Sequence, residues 1–151
     1  MEKFKIRDAS GWTMFIFGVL AVLLGLLGLI RPEILLSILG FAPLDRSARA
    51  AGDYTIVFMT ASSMASFNMG VYDILAVAAD FKKFYQWTVP FRTLTFIVFS
   101  IVVLTGIAPT RFWGIGLWEG LGALATGLAL YFERRQQPAV QPAQKAKRGK
   151  P

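Results

Sequence analysis

The sequence predicts an all-α membrane protein: a four-transmembrane-helix bundle with a short interfacial helix after the first span. Three observations predict it. Of the 151 residues, 55% are hydrophobic, with a mean hydropathy of +0.53, where a soluble domain holds about 45–50%. The apolar residues are gathered into long runs with few charges, and a helix of about 20 such residues crosses a bilayer core. The basic residues then fall between the runs with a bias. With four spans and the N-terminus inside, the inner segments hold twelve Lys and Arg and the outer segments four, namely Arg31, Arg46, Arg49 and Arg111. Loops on the cytoplasmic side carry this excess, and a count of three spans would break it. The same rule accounts for the net charge of +7, which in a soluble protein would raise the question of nucleic acid.

The elements follow in order. Residues 1–10 are short and basic, with Lys3, Lys5 and Arg7. The first span, about residues 11–30, is longer than the 7–15 apolar residues of a signal peptide and has no A-x-A-like site before Arg31, so it reads as uncleaved. Gly18, Ala21, Gly25 and Gly28 fall at spacings of three and four and make one small-residue face for close helix contact. Arg31 and Pro32 end this span. Residues 32–43 are apolar but number only 12, too few to cross, so an interfacial or re-entrant helix is expected. Pro32 suits its first turn and Gly40 its end.

The second span covers about residues 54–79. It carries a ladder of small residues, with Ser62, Ser66, Met69 and Asp73 on one arc beside Gly70, and Phe67, Val71 and Ile74 on the far side. Residues 81–92 read as a loop whose Tyr85 and Trp87 beside Lys and Arg mark a membrane–water interface. The third span is about residues 93–108, ended by Pro109 and Arg111. The fourth, about residues 112–132, begins with Trp113 and Trp118 and ends with Tyr131. Its Gly116, Ala123, Thr126 and Gly127 share a face with Glu119. Residues 1–132 thus form one transmembrane domain, and residues 133–151 a basic cytoplasmic tail expected to be disordered.

The chain has no cysteine and no histidine. That removes disulfides, thiol chemistry, histidine ligation of haem and most zinc and copper sites. There is no Walker loop, no dinucleotide fingerprint after a strand and no nucleophile elbow. No catalytic residue, metal site or cofactor is expected. What remains is a set of polar residues at membrane depth, where an ionisable group is costly and pairs or lines a cavity. Asp73 is the first. It either pairs with Arg92, at the inner start of the third span, and pins helices together, or forms a polar site with Asn68 and Tyr72. Glu119, beside Trp118, is the second. It either pairs with Arg31 or Arg111 or binds a ligand or proton. The two acids are expected to stand apart, approaching from opposite faces of the membrane. Met59, Met64 and Met69 read as core or lipid-facing residues rather than a metal site.

The layout resembles the DoxX-like group of small four-helix membrane proteins. The resemblance is carried by the basic N-terminus, the first span ending in Arg31 and Pro32, and the short apolar segment after it. The second helix with its Asn, Gly and Tyr, and the glycine-rich fourth helix with Glu119, complete it, over about residues 11–132. Some relatives serve as membrane partners of redox enzymes, often with cysteines, a feature this chain lacks. The expectation is an accessory or ligand-binding protein of the plasma membrane, multi-pass, with both termini cytoplasmic. Such a protein would hold a small or lipid-like molecule within its helix bundle. The alternative is a small proton-coupled carrier using Asp73 or Glu119. Expected partners are the lipid bilayer, a second copy through the glycine faces, and a membrane protein, with no nucleic acid.

Overall fold

The computed structural model describes residues 5–42 and 46–136. The expected tail beyond Gln136 lies outside the described residues. All regular structure among them is helical. In order these are α1 (Ala9–Ile30), α2 (Pro32–Ile38), a 3-10 turn (Arg46–Ala48), α3 (Thr55–Ala78) and α4 (Lys82–Leu104). A second 3-10 turn (Thr110–Phe112) leads into α5 (Trp113–Gln136).

The boundaries have local causes. Asp8 caps α1, its carboxylate accepting from the Gly11 amide at 2.8 Å. Pro32 opens α2 at a position where its missing N–H costs nothing. Gly40, at φ +87°, turns the chain out of α2. Asp53 accepts from the amide and hydroxyl of Thr55 as α3 begins. At the other end of α3, the Asp80 amide donates to Val77 O and the Phe81 amide to Ala76 O, with Asp80 itself at φ 50°. That three-residue turn, residues 79–81, delivers the chain directly into α4.

Residues 81–92, expected as an interfacial loop, are therefore mostly the first turns of a helix that begins at Lys82 and runs through Pro90. Proline removes one backbone hydrogen bond from a helix interior. Here packing holds the turn. Tyr85 is 1% exposed, and Thr88 donates to Tyr85 O at 2.8 Å and contacts Met14 Sδ at 3.6 Å.

Among the described residues, three helical segments are long and apolar enough to cross a membrane: Ala9–Ile30, Lys82–Leu104 and Thr110–Gln136, with mean hydropathies of 2.6, 1.8 and 1.3. The 24-residue α3 has the length but not the hydropathy, because Ser62, Ser63, Ser66, Asn68 and Asp73 lie within it. The outer surface is strongly apolar. Phe58, Leu104, Ile107 and Ile30 are 70–75% exposed, a character soluble monomers avoid.

The helices pair as α1 with α3 and α4 with α5, and α1 joins the two pairs through α5. α3 and α4, though consecutive, share little surface beyond their turn. Among the described residues the backbones of α1 and α3 approach closely over a long contact, and glycine makes it so. A Cβ on Gly25 would lie 2.6 Å from Phe67 N, and one on Gly70 would lie 2.5 Å from Gly18 O. The small-residue face expected on α1 is thus in use. The face of α3 is rotated from the expected one. Ser63, Gly70, Asp73, Ala76 and Val77 are buried, while Ser62 and Met69 are exposed and Phe67 backs onto Gly25. Ser66 donates to Ala21 O at 3.1 Å. The rotation follows from glycine: the helices approach where Gly70 offers backbone, and that sets which serine is covered.

Candidate functional site

The polar residues of the interior gather where α1, α3, α4 and α5 meet. Asp73 is 2% exposed and Arg92 9% exposed, and Arg92 Nη2 donates to Asp73 Oδ2 at 2.7 Å. Each comes from a different helix pair, so the ion pair braces α3 against α4 where little else does. Arg92 is not at the start of its helix. It lies ten residues beyond Lys82, about 15 Å along at 1.5 Å per residue. The guanidinium rests on the face of Phe17 of α1, with Cζ 3.9 Å from the ring centroid, a favourable cation–π geometry. Phe17 in turn stacks on Trp118 of α5, with ring centroids 4.2 Å apart and planes at 35°.

Glu119 joins this group. Gly116 and Ala123, one turn away on either side, are both buried, so the intervening Glu119 faces inward. It acts electrostatically on both Arg92 and Asp73. It makes no hydrogen bond or ion pair among the described residues. Of the two alternatives for Glu119, the pairing with Arg31 or Arg111 does not occur among the described residues, and the two acids, expected to approach from opposite faces, act on one another electrostatically. Arg92 pairs with Asp73 and lies within electrostatic reach of Glu119, because α4 starts eleven residues earlier than expected and carries its arginine to mid-depth. Arg31 and Arg111 are exposed instead.

Two polar atoms of the ion pair, Asp73 Oδ1 and Arg92 Nη1, are buried without a hydrogen-bond partner, as is Ser63 Oγ toward the other end of α3. Such groups are rare in folded proteins and call for a reason. The remaining expected site residues lie outside the cluster. Asn68 is half-buried and Tyr72, 53% exposed, points outward. Neither hydrogen-bonds to the ion pair.

A second polar cluster closes one end of the bundle. Lys82 Nζ forms an ion pair with Asp8, donates to Ser10 Oγ at 2.9 Å and lies 3.4 Å from Glu133 Oε2. Ser10, fully buried, donates its amide to Glu133 at 2.7 Å and its hydroxyl to the same carboxylate at 2.8 Å. Burial pushes the Asp8 carboxyl up. The hydrogen bonds from Lys82 and Gly11, with the Lys82 charge, outweigh this and hold it below the usual carboxylate value. This latch ties α1, α4 and α5 together. Its members read in sequence only as charges flanking apolar runs, and nothing in their spacing signals that they meet. Phe17 is similarly anonymous among the apolar residues of α1.

No family model, curated protein or solved structure matches this chain. No group of three or more acidic residues that could hold a metal ion occurs among the described residues. The arrangement of the interior cluster suits holding a charge or a small polar group in an apolar setting, and it presents no nucleophile with a base.

Proposed function

We propose that the chain is a small integral membrane protein of accessory, ligand-binding type, a four-span bundle that holds a small or lipid-like molecule at the Asp73–Arg92–Glu119 cluster. The observation that carries the reading is the unmatched pair of buried polar atoms, Asp73 Oδ1 and Arg92 Nη1, at the meeting of four helices. A ligand group able both to accept and to donate a hydrogen bond would complete them.

The fourth span is supported by packing rather than by hydropathy. α3 lies along α1 from Gly18 against Gly70 to Gly28 against Ser63, so a bilayer that α1 crosses is crossed by α3 too. Its Ser63 and Ser66 then face α1 instead of lipid, and the exposed Ser62 donates to Met59 O of its own helix. The DoxX-like layout belongs to this proposal, as do the plasma membrane, cytoplasmic termini, and a second copy or another membrane protein as partner. Tags at both termini should be accessible only from the cytoplasm, and a tag after Arg46 only from outside. An outside C-terminus would refute the four-span reading. Mass spectrometry of the protein purified in lipid nanodiscs should find a bound molecule that Arg92→Gln loses while still folding. Equal retention by the variant would refute the site.

A second reading, a small proton-coupled carrier, is favoured by Glu119 lying within electrostatic reach of the Asp73–Arg92 pair. Flux in liposomes that survives loss of both acids would remove it.

A further inference from the structure

We propose that Asp73, Arg92 and Glu119 together bind one proton, held on Glu119 while Asp73 and Arg92 are ion-paired, and that its release draws Arg92 across to Glu119. This deepens the reading of the cluster as a binding site and rests on the helices being membrane-embedded.

Charge and geometry carry the inference. The facing groups can be named helix by helix: Phe17 and Gly18 from α1, Asp73 from α3, Arg92 from α4, and from α5 Glu119, on the face whose Trp118 and Gly122 pack on Phe17 and whose Gly116 and Ala123 are buried. The ionisable groups among them are two carboxyls and one guanidinium. Fully ionised, the cluster holds an uncompensated negative charge in an apolar setting, which is costly. A proton removes that charge and needs no cavity. Its place is Glu119, since Asp73 already accepts from Arg92 at 2.7 Å and Glu119 accepts from nothing among the described residues. Asp73 Oδ1 and Arg92 Nη1 are left unpartnered, so the ion pair is incompletely satisfied and Arg92 has a donor spare for a second carboxylate. Arginine has five N–H donors in a planar fork, and a rotated side chain can serve either acid. When Glu119 loses its proton, the guanidinium is shared with or transferred to it. Because α3 and α4 share little surface beyond their turn, losing the Asp73–Arg92 brace loosens that seam. One proton leaves, one ion pair exchanges, and the charge of the cluster falls by one.

Infrared spectroscopy of the purified protein in lipid nanodiscs tests this. At neutral pH the wild type should show a protonated carboxylic-acid C=O band of one carboxyl per chain. Glu119→Gln should abolish it, and Glu119→Asp should keep it at a shifted frequency, which guards against a variant that fails to fold. Asp73→Asn should also abolish it, because Glu119 would then pair ionised with Arg92. Absence of the band in the wild type would overturn the proposal, as would its survival in Glu119→Gln or in Asp73→Asn. A sodium-dependent rise in thermal stability without the band would overturn it in favour of a metal cation. Failure of the membrane reading would show separately, as protein that does not incorporate into nanodiscs.

Discussion

Loss of Arg92 should cost more than loss of Asp73, and the structure says why. Arg92→Gln leaves Asp73, 2% exposed, without its cation and beside a second acid. Breaking a buried pair from one side typically costs about 3–5 kcal/mol. Contact with the Phe17 ring is lost too, worth about 0.5–2 kcal/mol. Asp73→Asn leaves a cation that has an alternative: Glu119 lies within electrostatic reach, so re-pairing limits the cost to about 1–3 kcal/mol, that of an unsatisfied polar group. The double variant should fall well short of the sum, with a coupling of about 0.5–3 kcal/mol. Reversible unfolding in mixed detergent micelles, followed by circular dichroism for the wild type, both single variants and the double, measures each quantity. Additive losses would show that the two side chains do not act as a pair. An Asp73→Asn variant as damaged as Arg92→Gln would show that Glu119 does not substitute, and the shared-arginine argument would fail with it.

Further outcomes are expected. Gly70→Leu should separate α1 from α3 and cost at least the 1–3 kcal/mol or so of an overpacked core, since even a Cβ there meets Gly18 O at 2.5 Å. Gly114→Ala, with nothing within 4 Å of an added Cβ, should leave the unfolding midpoint unchanged, and an equal loss at both sites would refute the packing account. The latch at Lys82 should show in the acid limb of stability. Asp8 titrates lower folded than unfolded, so its contribution is full above the unfolded value of about 3.9 and is lost as pH falls through its lower folded value. In Asp8→Asn that part of the acid loss should disappear, and an unchanged pH profile would show that the Lys82 contact does not act on stability.

Much of the fold is legible in the sequence because a bilayer imposes simple rules on length, apolarity and charge. Runs near 20 residues, Pro32 and Gly40 as stops, and aromatic residues beside cations mark α1, α2 and α5 nearly where they lie. The start of α4 was not legible. Pro90 and the aromatic-basic string before it look like a loop, and only burial of Tyr85 and Thr88 under α1 shows why the helix begins at Lys82. That shift moved Arg92 from the rim to the interior and remade the site around it.

The sequence by itself determined which residues are too costly to leave alone in an apolar setting, Asp73 and Glu119, since that cost depends on residue type and position in a run. It also determined that α1 offers a glycine face, because spacings of three and four mark a single side of any helix. Only the tertiary structure decided the partners. Helical periodicity is silent about rotation to within a residue or so, and Gly70 meeting Gly18 turned α3 so that Ser63, not Ser62, is covered. Nor does chain order decide adjacency: α3 pairs with α1 and α4 with α5. The Asp73–Arg92 pair therefore forms between α3 and α4 within electrostatic reach of Glu119 on α5, which is a property of how the two helix pairs dock and of nothing local to any of them.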